Sequence, residues 1–242
     1  PAIDGPISKG VMDDGGYALE VHNLLDGHRR RLIERGGSVV TNARVAAAEA
    51  HGEGWRVTLE DGRAFDADIV VNAAGAWADE VARLAGAAPI GLEPKRRTGV
   101  LVDPGCAIAD WPMIHVASGD LYFKPEGNML MVSPADESPS PPCDAQPEDL
   151  DVAVVLDRFN RFTTLGIERP FRTWAGLRSF VPDKVPVIGF APDRQGFFWV
   201  AALGGFGVQT SPAYSRVAAA LLLGETPPDL GFDLAALGPG RL

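Results

Sequence analysis

The 242-residue chain, 46% hydrophobic, is long enough for a large buried core, as one big domain or two modest ones. Its formal net charge of −10 argues against nucleic acid and anionic membrane surfaces as main partners. There is no run of about 20 apolar residues to span a bilayer, and the opening PAIDGPISKG lacks the basic-then-apolar pattern of a signal peptide. Cys106 and Cys143 stand in loop-like, Pro-rich surroundings without metal-ligand spacing, which suits a reducing cytoplasm. His22, His28, His51 and His115 form no i, i+4 pair, so no metal site is expected.

In chain order, residues 18–34 predict a helix, with Leu24, Leu25, Leu32 and Ile33 as its apolar stripe and Gly36-Gly37 as its stop. HRRR (28–31) falls within that pattern and reads as a solvated face. SVVTNARVAAAEA (38–50) predicts a strand, and residues 55–65 a hairpin turning at Asp61-Gly62. An apolar strand over 67–75 runs into Ala-Ala-Gly, and a helix continues to about Leu84. From Pro89 the character changes: a strand over 95–102, a hairpin over 120–134 turning near Glu126-Gly127-Asn128, and a Pro-rich loop over 138–147. An amphipathic helix over 147–162 and a strand over 172–180 follow. Strands over 185–190 and 197–203 then lead to a glycine turn, a helix to Gly224 and a Pro/Gly-rich tail. An α/β portion (1–90 and 183–242) is thus interrupted by a β-rich insert (91–182).

Two stretches stand out chemically. VVNAAGAWAD (70–79) is a strand, a turn of small residues and a helix start, so backbone can approach a ligand and the helix N-terminus can face an anion. WVAALGGFGVQTSPA (199–213) offers the same features, with Ser211 as expected N-cap and Pro212 as first helical residue. Each alone is equally compatible with a tight strand–helix corner. Likewise, Arg178 on a strand reads by itself as a surface ion pair, and alternating Tyr122 and Lys124 as an amphipathic strand face.

Taken together with PIGLEPKRRTG, LYFKPEGNMLMVSPA and TWAGLRSF, these stretches resemble FAD-dependent amine and amino-acid oxidoreductases of the D-amino-acid oxidase and glycine oxidase superfamily. The likeness is strongest to the D-arginine dehydrogenase-like D-amino-acid dehydrogenases. The motifs come in the family's order and extend over residues 15–228. The resemblance implies a mixed α/β flavoprotein: a FAD-binding domain formed by 1–90 and 183–242, and a substrate-binding domain formed by 91–182. It implies cofactor contacts at Val45, Ala74, Gly75, Gly204, Gly205, Phe206, Gly207, Val208 and Gln209. Backbone donors of 204–209 would face the pyrimidine edge of the flavin, where negative charge collects on reduction. It also implies substrate contacts at Arg178 and Tyr122, both to the substrate carboxylate, and at Arg97. A planar guanidinium grips a carboxylate through two hydrogen bonds and so orients Cα. The implied reaction is hydride loss from Cα of an amino acid to flavin N5, then hydrolysis of the imino acid to a 2-oxo acid and ammonia. No residue stands out as an obligatory catalytic base.

The family begins with a strand, a G-x-G-x-x-G turn and a helix that hold the FAD pyrophosphate. No G-x-G-x-x-G occurs here. The expectation is therefore that the chain corresponds to the C-terminal part of such an enzyme, partnered by an N-terminal FAD-binding segment and inactive without it. The alternative is a module that has lost the cofactor and only binds a ligand or partner.

Overall fold

A computed structural model of the chain describes Ile3 and residues 9–242. In order these form α1 (Val21–Glu34), β1 (Val45–His51), β2 (Gly54–Leu59), β3 (Ala64–Ala67), β4 (Val70–Asn72) and α2 (Ala78–Leu84). Next come β5 (Glu93–Val102), β6 (Ile114–His115), β7 (Tyr122–Glu126), β8 (Met129–Ser133), β9 (Ser138–Pro139) and α3 (Asp149–Phe162). The last are β10 (Arg172–Phe180), β11 (Val187–Phe190), β12 (Phe197–Ala201) and α4 (Gly207–Leu223). The architecture is mixed α/β, divided into two compact units. One comprises Leu92–Lys184 with the described residues of Pro1–Gly10; the other comprises Val11–Gly91 and Val185–Leu242.

The unit holding β5 to β10 is a sheet of order β10-β5-β8-β7-β6, with the short β9 on β5. β5 carries it, pairing with β10 over nearly its whole length, from Glu93↔Phe180 to Leu101↔Arg172. Strand alternation sends Val100 and Val102 of β5, Phe123 of β7 and Leu130 and Val132 of β8 to one face, where they meet Val155 and Phe159 of α3. Phe123 and Phe159 pack edge to face at 5.1 Å. Arg96 also points to this side. It ion-pairs with Glu148 at 2.5 Å and with Asp151 at 2.9 Å, which ties the start of α3 to the sheet.

The other unit contains two three-stranded sheets, β1-β2-β3 and β11-β12-β4. In the second, β12 runs parallel to β4, with Phe198↔Val71 and Trp199↔Asn72, and antiparallel to β11. Phe197, Phe198 and Trp199 of β12 are fully buried, as the near-continuous apolar run of a strand covered on both faces. Val217 and Ala218 of α4 pack with Ile188 and Phe198.

Four readings of the sequence are corrected. The first helix starts at Val21, not at residue 18. Residues 38–44 are not a strand, because Asn42 takes a left-handed conformation (φ 50°) and bends the chain before β1. The strand expected over 67–75 is only Val70–Asn72, since Gly75 turns at φ 56°. Finally, α4 starts at Gly207, so Ser211 and Pro212 lie inside it. Pro212 lacks the N–H that would bond the Val208 carbonyl, and the Ser211 hydroxyl donates to that carbonyl instead at 2.7 Å. The short β6 and β9 carry no alternating pattern that the sequence could reveal.

Candidate functional site

The β5 residues on the face away from α3 are Glu93, Lys95, Arg97, Gly99 and Leu101. In the β10 ladder Lys95 faces Arg178, Arg97 faces Gly176 and Gly99 faces Trp174. Both arginines expected at a substrate therefore lie on one sheet face, and the neighbouring Arg96 lies on the other. Tyr122 joins the same face from β7 through its partner Ser133 on β8. It is only 8% exposed, and it lies near enough to the Arg178 guanidinium to favour its charge.

Arg178 is half-buried and, among the described residues, forms no ion pair with a carboxylate. Its loss of hydration, and next the Arg97 guanidinium beside it, lower its pKa; Tyr122 and Glu137 act in the opposite direction. A half-buried cation beside a like charge, without an ion-pair partner among the described residues, has the chemistry to accept an anion.

Arg97 is held differently. Its Nε donates to the Asp136 carbonyl at 2.7 Å, and its Nη2 reaches the Glu137 carboxylate at 3.4 Å. Asp136 is itself fixed, accepting from the Thr98 backbone N–H at 2.7 Å and the Thr98 hydroxyl at 3.0 Å. The loop that bears it passes through Ala135 at φ 55°, and the Ala135 N–H donates to Ser133 Oγ at 3.2 Å. Asp136 and Glu137 escaped the sequence reading. The only hint was an acidic pair just after the β7–β8 hairpin, and no short-range rule links it to an arginine 39 residues earlier.

The residues expected at a cofactor lie in the other unit. Ala74-Gly75 follows β4, and Gly204–Gln209 follows β12. Because these strands are parallel neighbours, both turns leave the same edge of the sheet, at the strand C-termini where open α/β sheets bind ligands. Asn72, nearly fully buried, shapes the first turn: its side chain donates to the Ala78 carbonyl at 2.8 Å and accepts from the Ala74 N–H at 3.3 Å. Gly75 has no atom within 4 Å of where a Cβ would be, so its positive φ is what requires glycine. In the second turn Gly204 takes φ 54°, and buried Ala202 takes φ 56°, a strained choice for a residue with a Cβ. No side chain caps α4, and its first turn holds no acidic residue, so its leading N–H groups remain available to an anionic or carbonyl-bearing ligand. Phe206 and Val208 are exposed at this turn. Val45 is elsewhere in that unit, half-buried at the start of β1, where the ladder to β2 is irregular between Val45 and Ala47.

No group of three or more His, Cys, Asp or Glu side chains among the described residues could hold a metal. No helix among them is long and apolar enough to cross a membrane.

Residues 1–221 match the family described as FAD dependent oxidoreductase. The chain is 28% identical over 222 residues to FAD-dependent oxidoreductase domain-containing protein 1 of Xenopus laevis, covering 81% of this chain and 42% of that protein. It is 29% identical over 167 residues to glycine oxidase of Pseudomonas aeruginosa, covering 66% of this chain and 43% of that one. Its fold is similar to that of L-proline dehydrogenase from P. horikoshii, with a TM-score of 0.78 at 22% identity over 91% of this chain and 59% of that structure. The chain thus spans less than half the length of the two curated relatives. By its family match and its fold, the chain belongs to the FAD-dependent oxidoreductases.

Proposed function

We propose that this chain is the substrate-gripping, C-terminal part of a FAD-dependent amino-acid dehydrogenase or oxidase acting on D-amino acids. The observation that carries the reading is Arg178: a half-buried guanidinium beside Arg97 and near Tyr122, without a carboxylate in the described residues to pair with it. An α-amino acid supplies that carboxylate. Arg178 grips it through two parallel hydrogen bonds, Tyr122 adds a third, and Arg97, anchored by Asp136 and Glu137, sets the positive wall beside them. Holding the carboxylate at two points fixes the direction of the Cα–H bond, which is the protein's contribution to a two-electron oxidation.

FAD, when bound, supplies the electron acceptor. The residues that would hold it are Ala74-Gly75 and Gly204–Gln209, with Val45 toward its adenine end. They fit the group: two turns of small residues leave one sheet edge, and the uncapped N–H groups of α4 suit an acceptor that gains negative charge. The substrate loses its Cα hydrogen with the bonding electron pair, and water converts the resulting imine to a 2-oxo acid and ammonia. The amine binds neutral, so no side-chain base is required.

The apolar residues of α1 support a further part of the reading. None of its residues is buried, and Leu24, Leu25, Leu32 and Ile33 are all exposed. We take an N-terminal segment bearing the pyrophosphate-binding turn as the cover for this helix. The exposed free thiols Cys106 and Cys143 fit a cytoplasmic setting.

The test is to express the chain with that segment, load it with FAD, and offer glycine and both enantiomers of a panel of amino acids. Dye reduction and oxygen uptake are followed together. Oxidation of D-amino acids with release of ammonia supports the proposal. Reduction of FAD by none of them, in a protein that binds it stoichiometrically, overturns it.

A further inference from the structure

We infer that Glu137 sets how tightly Arg178 and Arg97 hold a carboxylate, as a built-in anion that the substrate carboxylate pushes toward Lys184; this rests on the amino-acid reading above. The sheet face concerned is rich in cations. In the β10 ladder Lys95 faces Arg178 directly, and Arg97 lies two residues from Lys95 on the same face. Like charges so placed repel, and more strongly where water is scarce; the Lys95 and Arg97 side chains are only 17% and 13% exposed. The acids in reach therefore decide how much positive charge is left for a ligand. Glu93 is paired with Lys95 at 3.1 Å. Asp136 is buried and fixed by the Thr98 N–H and hydroxyl.

Glu137 is held more loosely than either. One carboxylate oxygen lies 3.4 Å from Arg97 Nη2 and the other 3.5 Å from Lys184 Nζ. Both separations exceed the about 2.7–2.9 Å of a well-made charge-assisted bond, and the side chain is 38% exposed. Its charge also reaches Arg178, whose charged form it favours. Arg97 does not depend on Glu137 for its place, because the Asp136 carbonyl already holds its Nε at 2.7 Å. Lys184 is fixed on the far side. It takes φ 58°, its N–H donates to the Val181 carbonyl at 2.9 Å, and its ammonium lies over the Phe180 ring at 5.6 Å. A carboxylate arriving at Arg178 and Arg97 meets Glu137 as a like charge, and Lys184 gives Glu137 a second partner to turn to. The 2-oxo acid product is a carboxylate too, so without this competitor the site would hold product as firmly as substrate.

The experiment titrates acetate into the FAD-loaded full-length protein by calorimetry at fixed ionic strength. Glu137→Gln should tighten acetate binding by about three- to tenfold, the effect of removing one nearby like charge. Glu137→Asp, which keeps the charge, should bind acetate as the wild type does. Lys184→Met should weaken binding by about three- to tenfold in the wild type, but by no more than about twofold in the Glu137→Gln background, because Lys184 acts through Glu137. Weaker or unchanged acetate binding in Glu137→Gln overturns the proposal, since a residue that only braced Arg97 would give that sign. Equal losses from Lys184→Met in both backgrounds overturn it as well. No acetate binding in the wild type, or affinity unmoved by Arg178→Ala, instead overturns the carboxylate grip on which the proposal rests.

Discussion

In the proposed site Arg178 and Tyr122 hold one substrate carboxylate with different strengths, and their variants separate them. Arg178→Ala removes a bidentate contact and leaves a substrate carboxylate unpaired in a dry site, so kcat/KM should fall by about 2–5 kcal/mol of transition-state binding. Lysine should restore only part of this, because an ammonium lacks the fork geometry. Tyr122→Phe keeps the ring and its stack with His115 but removes one hydrogen bond to a charged group, costing about 1.5–3 kcal/mol. Steady-state kinetics on the FAD-loaded enzyme checks both, and equal kinetics for the Phe variant would reduce Tyr122 to a structural residue. Asp136 acts on stability as well. Replacing it by Ala strands the buried Thr98 N–H and hydroxyl, and should lower the unfolding free energy by about 1–3 kcal/mol in denaturant melts.

At the scale of elements, the start of α4 is where local chemistry and tertiary placement disagree. Ser211-Pro212 is a good helix opening by composition, yet the helix begins four residues before Ser211, at Gly207, because β12 ends at Ala201 and the left-handed turn through Ala202 and Gly204 brings the chain directly into it. Proline is tolerated so near the start because Ser211 Oγ takes over its missing donor role toward Val208. A double-mutant cycle tests this. Ser211→Ala should cost about 0.5–1.5 kcal/mol of stability with Pro212 present. It should cost almost nothing in a Pro212→Ala background, where the backbone N–H restored by the substitution bonds the Val208 carbonyl. Equal costs in both backgrounds would show that the hydroxyl is not compensating the proline. The β7–β8 hairpin and β10, by contrast, were legible in the sequence, because alternation and a Glu-Gly-Asn turn are signals contained within a few residues.

At the scale of the whole molecule, α1 is the element that its own unit leaves unsatisfied. A 14-residue helix without a buried residue has little intrinsic stability, and its exposed leucines form a surface that associates. Residues 1–242 alone should therefore aggregate or purify without flavin colour, and co-expression with an N-terminal dinucleotide-binding segment should give a yellow, monodisperse complex. Gel filtration with flavin absorbance checks this; an isolated chain that is monomeric and holds FAD stoichiometrically would show that α1 needs no cover. The sequence by itself determined the composition of the motifs, the periodicity that makes α1 and α3 helices, and the family, because each of these is written in residues close together or in an ordered set of motifs. Tertiary structure alone showed that Arg96 braces α3 while Arg97 shares a sheet face with Arg178, since a strand sends neighbours to opposite faces and only the packing of α3 says which face is the core. It alone also brought Asp136 to Arg97 and Trp174 over Gly99, because those pairings depend on ladder register between strands distant in the chain, which no local pattern encodes.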